Sequence, residues 1–197
     1  MAFGLWFCVL GVLGSFNRFA AEDQDQDLRP KTQDQLSMFR IGIGNDTHRL
    51  VKGRPLILGG VRVPFERGTE GHSDGDALTH ALADAILGAL CEGDLGVHFP
   101  DNDAQWKSAD SLQLLARVCW LARERGFNIV NVDANVFLER PKLREHVAAM
   151  RDNLAKLLEV NAACVSIKAK TGEGLDAVGR GEAVSAQAIV LLSGDNT

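Results

Sequence analysis

Three residues from two segments of this chain have the chemistry of a metal site. Asp46 and His48 stand two positions apart, and His80 follows in a later segment rich in Ala and Leu. Two imidazoles and one carboxylate can fill three corners of a tetrahedral zinc site and leave the fourth corner open. Each piece alone has an ordinary explanation, because the Asp-Thr-His triplet is typical of a turn and a lone His is typical of a helix surface.

A polar loop punctuated by glycine stands directly before the segment that carries His80. It contains His72, Ser73 and Asp74. Ser and Asp side chains can accept hydrogen bonds from the free amides of a first helical turn, so Ser73 and Asp74 are predicted helix caps. The apolar residues that follow at helical spacing are predicted to face a core, and they are Leu78, Leu82, Ala85, Ile86 and Ala89.

Other glycine-rich or proline-flanked loops each carry one reactive side chain. Asp94 follows one glycine, Glu173 and Arg180 are each flanked by two, and Lys142 follows a proline. Each has a simpler interpretation as a turn former or a solvated charge. Because binding and catalytic residues concentrate on loops between well-patterned elements, their accumulation favours a metal-dependent enzyme that acts on a phosphorylated substrate.

The elements that must position these residues follow from periodicity and turn residues. Glycines at 42 and 44 are expected to loosen the end of the first strand. Asp110 or Ser108 is the expected cap of one helix, and Gly126 its stop. Strands are predicted over 39–43, 56–58, 61–63, 129–138, 165–169 and 183–192, and helices after residue 74, over 111–125 and over 141–158. This mixture within one domain indicates a sheet with helices packed on it.

Charge and cysteine usage limit the possible partners. The net charge is −5 and no basic stripe is present, which argues against nucleic acid as a principal partner. The four cysteines are far apart and form no CxxC pair: Cys8, Cys91, Cys119 and Cys164. They are typical of reduced, buried thiols in a cytoplasmic protein rather than of a disulfide framework.

The first 37 residues differ in composition from the rest of the chain. An apolar run over 2–16 is too short to span a bilayer comfortably, and no Lys or Arg precedes it. Residues 22–35 are polar and predicted to be disordered. Because Met38 stands directly before a predicted strand, we interpret 1–37 as an extension or start-site artefact and 38–197 as the domain. A membrane partner of the domain is not expected, and targeting by 1–37, for example to a plastid, stays open.

Taken in order, these motifs closely resemble the 2-C-methyl-D-erythritol 2,4-cyclodiphosphate synthase family of the non-mevalonate isoprenoid pathway. The resemblance covers residues 39–192 and excludes the first 37. The matching motifs lie at 44–48, 58–61, 72–76 with His80, 93–96, 99–101, 107–111, 141–142, 168–171 with Glu173, and 179–182.

The resemblance implies a specific reaction. Family members convert 4-diphosphocytidyl-2-C-methyl-D-erythritol 2-phosphate into the cyclic diphosphate and CMP. The 2-phosphate of the substrate attacks the β-phosphorus of its own diphosphate, so the reaction needs no nucleophile from the protein. The protein folds the substrate and offsets charge at phosphorus.

The resemblance also implies roles for individual residues. Asp46, His48 and His80 match the ligands of one Zn²⁺ per subunit, and Glu173 matches the ligand of a second divalent ion, Mg²⁺ or Mn²⁺. His72 and Thr171 match positions that assist the transition state. The residues implied in binding the cytidyl diphosphate substrate are Ser73, Asp94, Leu95, Gly96, Phe99, Pro100, Asp101, Asn102, Asp103, Leu138, Pro141, Lys142, Leu143, Lys170, Ala177 and Arg180.

The fold implied by the resemblance is of the α+β type. It is a two-layer sandwich of a mixed sheet with helices on one face, assembled as a homotrimer with sites between subunits. Two other classes remain open from the residues: a metal-dependent phosphoesterase that uses water, and a non-catalytic, zinc-stabilised trimeric binding module.

Overall fold

The computed structural model describes residues 39–100, 103, 106 and 109–194, so the predicted extension over 1–37 lies outside the described residues. In chain order the elements are β1 (Phe39–Lys52), β2 (Leu56–Leu58), β3 (Val61–Val63), β4 (Arg67–Thr69), α1 (Ala77–Leu90), α2 (Leu95–His98), α3 (Ser111–Glu124), β5 (Phe127–Phe137), α4 (Val147–Leu158), β6 (Val165–Lys170), α5 (Asp176–Gly179) and β7 (Ala183–Gly194). A 3₁₀ turn over Ala162–Cys164 precedes β6.

Five strands form one mixed sheet in the order β4–β1–β7–β5–β6. Neighbouring strands are antiparallel except β5 and β6, which are parallel and are joined through α4. Strands β2 and β3 form a separate hairpin around Gly59 and Gly60, as predicted. The predicted mixed sheet with packed helices is therefore confirmed.

The two faces of the five-stranded sheet have different surroundings. Alternate residues of β7, including Val184, Ala188 and Leu192, are completely buried on the face that α1 covers. The residues between them point the other way, as the period of two in a strand requires. We call this second side the open face, and its exposed apolar residues are Phe39, Ile41, Ile43 and Ile189.

Two glycines allow α1 to lie directly against β1. A Cβ atom at Gly42 would lie 1.8 Å from the carbonyl oxygen of Ala85, and one at Gly44 would lie 2.1 Å from that of Ala81. The prediction that these glycines loosen the strand is wrong, since β1 continues to Lys52. Their function is to bring the helix backbone close to the strand.

The helix α1 begins later than Ser73 and Asp74, so the prediction of its caps is wrong. Its N-cap is Asp76, whose side chain accepts from Thr79 N at 3.0 Å. The same carboxylate accepts from the amides of Gly59 and Gly60 at 2.9 Å and 2.7 Å. Contact with the β2–β3 hairpin therefore decides which of the adjacent polar residues caps the helix. The predicted core residues of α1 are all buried.

Two other local predictions need correction. The helix predicted from residue 141 begins at Val147, because the chain makes turns through His146 before the first amide of α4 reaches the carbonyl of Leu143. The predicted alternation of β5 fails at Val130, which is 36% exposed, because a register shift against β7 separates Ile129 from Asn131. The cap at Asp110 is as predicted.

The cysteine environments are only partly as expected. Cys119 is buried, Cys91 is exposed, and Cys164 is half-buried, so burial was predicted wrongly for the last two. Burial raises the pKa of the Cys119 thiol to about 12. Cys8 lies outside the described residues. No helix among the described residues is long and apolar enough to cross a membrane.

Candidate active site

Three candidate metal ligands meet at one point of the structure. Asp46 and His48 extend from β1, and His80 extends from α1. The Oδ2 atom of Asp46 lies 2.9 Å from His48 Nε2 and 2.9 Å from His80 Nδ1, and the two nitrogens lie 3.3 Å apart. A carboxylate with two imidazoles is a donor set suited to zinc and related divalent ions. The arrangement is consistent with a divalent metal site.

The long strand β1 explains why these side chains converge. Asp46 and His48 are two residues apart on a strand, so both point to the helix-covered face. The close approach of α1 at Gly44 brings His80 over them. The Asp-Thr-His triplet therefore lies inside a strand and not in the turn that was its ordinary explanation.

A backbone carbonyl fixes which nitrogen of His48 faces the cluster. His48 Nδ1 lies 2.7 Å from the carbonyl oxygen of Glu70. Because a carbonyl oxygen only accepts hydrogen bonds, Nδ1 carries the proton and donates it to Glu70. The Nε2 atom is then the nitrogen that faces Asp46 and His80, and it is the atom that would bind a metal, with release of any proton it shares with Asp46.

The electrostatics of the cluster favour a cation. Burial raises the pKa of the Asp46 carboxyl, but hydrogen bonds with His48 and His80 outweigh burial and hold this pKa well below its usual range. The hydrogen bond with Asp46 also raises the pKa of His48, against the opposing effect of burial. Asp46 is therefore a carboxylate at neutral pH, which is the form that binds a cation.

A cleft with a volume of about 270 Å³ opens beside the three ligands. Five residues predicted to catalyse or to bind substrate line it: His72, Ser73, Leu95, Gly96 and Phe99. Four further lining residues were not predicted as site residues from the sequence: Gly71, Asp84, Trp106 and Leu114. Asp84 follows His80 by four positions, so helical spacing could have placed it on the same face of α1.

Asp84 connects α1 to the next part of the cleft wall. Its carboxylate accepts from Leu95 N at 2.8 Å, and burial raises its pKa. Asp94 accepts from Val97 N at 3.1 Å and caps α2, and it is not among the residues that line the cleft. Asp94 thus shapes the wall by ending the loop before α2.

The predicted substrate residues after α2 are only partly described. Phe99 packs edge to face on Trp106, with ring centroids 4.9 Å apart. Pro100 accepts a backbone hydrogen bond from Asp103 at 3.0 Å. Asp101 and Asn102 lie outside the described residues.

The predicted residues Lys170, Thr171 and Glu173 lie elsewhere, at and beyond the end of β6. Thr171 Oγ1 donates to the Glu173 carboxylate, and both side chains reach solvent. None of the three lines the cleft beside the metal ligands. The chain therefore presents two separate groups of predicted site residues. In the second group, we call Thr171, Gly172 and Glu173 the 171–173 segment.

A second cleft, of about 390 Å³, adjoins the 171–173 segment on the open face. Its lining includes Thr47, Gly172, Ala177 and Ser185. Thr47 Oγ1 and Ser185 Oγ lie 2.8 Å apart across β1 and β7. Ala177, predicted to bind substrate, is therefore on the side of the sheet opposite Asp46 and His48.

The remaining predicted residues occupy different environments. Leu138 and Leu143 are each only 3% exposed and pack in the core, so their side chains are not available to a substrate. Pro141 is half-buried and Lys142 is exposed. Arg180 is exposed and forms an ion pair with Glu182, with Nη2 and Oε2 3.1 Å apart.

Comparison with known proteins places this arrangement in a family. Residues 39–193 match the YgbB family. The chain belongs to this family. A relative from Salinibacter ruber, named 2-C-methyl-D-erythritol 2,4-cyclodiphosphate synthase, is 60% identical over 154 residues. These residues are 78% of this chain and 98% of the relative. A protein of the same name from Synechococcus elongatus is 56% identical over 160 residues, or 81% of this chain and all of the relative.

A solved structure agrees with the family at the level of the fold. It is a 2C-methyl-D-erythritol-2,4-cyclodiphosphate synthase in a form with bound CDP, and it is 41% identical with a TM-score of 0.73. The match covers 78% of this chain and 100% of that one. The family predicted from the motifs is thus confirmed.

Proposed function

We propose that this chain converts 4-diphosphocytidyl-2-C-methyl-D-erythritol 2-phosphate into 2-C-methyl-D-erythritol 2,4-cyclodiphosphate and CMP. It is a lyase with the cyclodiphosphate synthase function in isoprenoid biosynthesis. The observation that carries the assignment to residues is the convergence of Asp46, His48 and His80 beside a cleft. In the reaction, the 2-phosphate forms a bond to the β-phosphorus while the bond to CMP breaks.

The metal proposed for the cluster is one Zn²⁺ per subunit. The two histidines and Asp46 fit three positions of a four-coordinate site, and the adjacent cleft gives a ligand access to the fourth. When bound, the ion supplies a Lewis acid for a phosphate oxygen. The contribution of the chain is to hold three ligand atoms together and to shape the cleft in which the substrate folds.

Glu173 is the proposed ligand of a second divalent ion, Mg²⁺ or Mn²⁺. Its carboxylate is a hard oxygen donor of the kind these ions bind. The backbone of Glu173 has a φ of 51°, in the left-handed region that non-glycine residues rarely adopt. Such strain is concentrated at functional sites, which supports a functional role for this residue over that of a solvated loop residue.

His72 and Thr171 are proposed to assist the transition state by contacting phosphate oxygens. His72 lines the metal cleft, and Thr171 stands beside Glu173. We assign the methylerythritol side of the substrate to Asp94 and Gly96, with Ser73 beside them. We assign the cytidine and phosphate side to Leu138, Pro141, Lys142, Leu143 and Lys170, with Leu138 and Leu143 acting through their backbone. The other proposed substrate-binding residues are Leu95, Phe99, Pro100, Asp101, Asn102, Asp103, Ala177 and Arg180.

The open face supports assembly as a homotrimer with sites between subunits. Ile41 is 73% exposed and Ile43 is 56% exposed, and a contiguous apolar surface of this kind marks an interaction site. The cleft beside the 171–173 segment lies on this same face. A neighbouring subunit packed on the open face can therefore share a site with that segment. Light scattering tests this by the mass of the assembly.

Product analysis with the cytidyl substrate tests the proposed function. Phosphorus NMR is expected to show the cyclic diphosphate and CMP in equal amounts, with turnover lost on chelation and restored by metal. Linear phosphates would instead identify a phosphoesterase that uses water. Bound metal without any turnover would identify a non-catalytic binding module.

Two expectations from the sequence remain predictions. A chain that begins at Met38 is expected to fold, assemble and turn over like the full chain, and an unfolded domain after truncation would contradict the boundary. The cytoplasmic location is tested by cell fractionation.

A further inference from the structure

A partly buried chain of polar groups lies behind His80, on the side away from Asp46 and His48. Ser111 Oγ lies 2.8 Å from His80 Nε2, and its hydroxyl donates to Asp74 Oδ1. The backbone amide of Ser111 donates to the other carboxylate oxygen of Asp74 at 3.2 Å. Ser111 is completely buried. The chain thus joins the first residue of α3, the loop before α1, and α1 itself.

The direction of these hydrogen bonds follows from the number of available protons. A serine hydroxyl has one proton, and Ser111 gives it to Asp74. Ser111 Oγ therefore accepts from His80, so Nε2 carries the ring proton. His80 Nδ1, which lies 2.9 Å from Asp46 Oδ2, is then the nitrogen that would bind the metal. Ser73 Oγ lies farther from the same Nε2, at 3.2 Å.

We propose that Ser111 and Asp74 are positioning residues that hold His80 in the tautomer required for metal binding. The inference rests on the proposed metal function of Asp46, His48 and His80. Partners of this type orient a ligating histidine and raise its basicity, and their removal typically weakens metal affinity about 10- to 100-fold. Ser111 and Asp74 therefore tune the metal site without contacting the metal or the substrate.

The two histidines differ in how their orientation is encoded. His48 donates to the backbone carbonyl of Glu70, which no substitution removes. His80 depends on the side chains of Ser111 and Asp74, so its orientation can be changed by mutation. Asp74 also accepts from Asp76 N at 3.2 Å and orders the loop before α1. Ser111 is therefore the cleaner position for a test.

The test measures Zn²⁺ affinity of the full chain by competition with a chromogenic chelator. Ser111→Ala is expected to bind Zn²⁺ about 10- to 100-fold more weakly than the unaltered protein. Thr79→Val is the matched control, because it removes a buried hydroxyl next to His80 that donates to Asp76 and not to His80. The control is expected to lose thermal stability and to keep its Zn²⁺ affinity.

A second variant tests the same inference in case Ser111→Ala does not fold. Asp74→Asn retains the side-chain volume but removes the charge, and it is expected to weaken Zn²⁺ binding by a smaller factor. In the combined Asp74→Asn/Ser111→Ala protein, the loss should be less than the product of the single losses, because both act through His80.

The outcomes separate this inference from the proposed function. Unchanged Zn²⁺ affinity in Ser111→Ala and Asp74→Asn, with lower thermal stability in both, would overturn the positioning role and leave a structural one. If the unaltered chain itself bound no Zn²⁺, the proposed metal function would fail and this inference would fail with it.

Discussion

The candidate metal ligands Asp46, His48 and His80, which we call the metal cluster, and the 171–173 segment are held by different kinds of contact. Behind the candidate metal ligands, His48 has the backbone carbonyl of Glu70, an exposed residue, as its partner, and His80 has the completely buried Ser111. Thr171 and Glu173 instead contact each other at the surface. One group is already ordered within a single chain, whereas the other adjoins a cleft on the open face, the side of the sheet that also carries exposed apolar side chains.

The difference indicates that the two groups become ordered in different ways. Preorganised charge is effective only where surrounding packing holds it in place. The metal cluster meets this condition in one chain. A solvent-exposed segment can meet it when another subunit packs against it, which is why we propose that the two groups come from different subunits.

The largest expected effect concerns the metal cluster. His80→Ala removes one of three ligands, so we expect loss of the bound zinc and a fall in turnover of about 1000-fold or more. Metal analysis after gel filtration, with turnover, measures both. His146→Ala is the control, because His146 makes no side-chain capping bond and lies outside the cleft. Stoichiometric zinc in the His48→Ala/His80→Ala protein would refute the ligand assignment.

A smaller but still severe effect is expected at Glu173. Glu173→Gln removes a charged donor from the 171–173 segment, and turnover should fall about 100-fold or more while zinc content is unchanged. Glu124→Gln, an exposed change on α3, should alter neither quantity. Loss of zinc in Glu173→Gln would show that the two groups are not separate.

Thr171 tests positioning of phosphate without metal binding. Thr171→Val should keep zinc, the assembly and the melting temperature, and lose roughly one to two orders of magnitude in kcat with little change in KM. The alternative is that Thr171 only caps the turn into Gly172, which would cost about 1 kcal/mol of stability. Unchanged turnover with a clearly lower melting temperature would support that structural role.

A carboxylate beside each of the two groups should contribute differently to the free energy of unfolding. Asp76 is buried and accepts from Gly59, Gly60 and Thr79, so Asp76→Ala should cost about 3 kcal/mol or more through unsatisfied donors. Its counterpart near the 171–173 segment is Asp133, which is partly exposed and pairs with Lys168 at 2.6 Å. Asp133→Asn should cost under about 1 kcal/mol.

The contribution of Asp133 to the free energy of unfolding should change with pH in one direction. The hydrogen bond from Lys168 lowers the pKa of Asp133, so its stabilising effect is present above the ordinary carboxyl pKa. The effect should disappear as the pH falls below about 4. Urea unfolding of the unaltered protein and of Asp133→Asn, at neutral and acidic pH, measures this. A difference in unfolding free energy that persists in acid would contradict the assignment.

The convergence of the three candidate metal ligands could be predicted because their residue types and spacing carry the chemistry directly. Asp46 and His48 gave a ligand pair, and the apolar period of α1 placed His80 on a helix. The cap of α1 could not be predicted in the same way, because several polar residues stand together before the helix. Only the amides of the β2–β3 hairpin select Asp76 over Asp74.

Other parts of the site depend on contacts that no local pattern encodes. Ser111 lies 31 positions after His80 in the chain and meets it through the packing of α3 on α1. The separation of the 171–173 segment from the metal cluster depends on strand order in the sheet. Sequence patterns identified both groups but not the faces of the sheet that they occupy.

A mixing experiment tests most directly whether the two groups act across subunits. His80→Ala and Glu173→Gln chains, each nearly inactive alone, are combined in equal amounts under conditions that allow subunit exchange. In a cyclic trimer with shared sites, about one quarter of the sites would contain an unaltered cluster beside an unaltered 171–173 segment. We therefore predict recovery of about that fraction of the unaltered turnover. No recovery after verified exchange would contradict the account, because it would place both groups of each site in one chain.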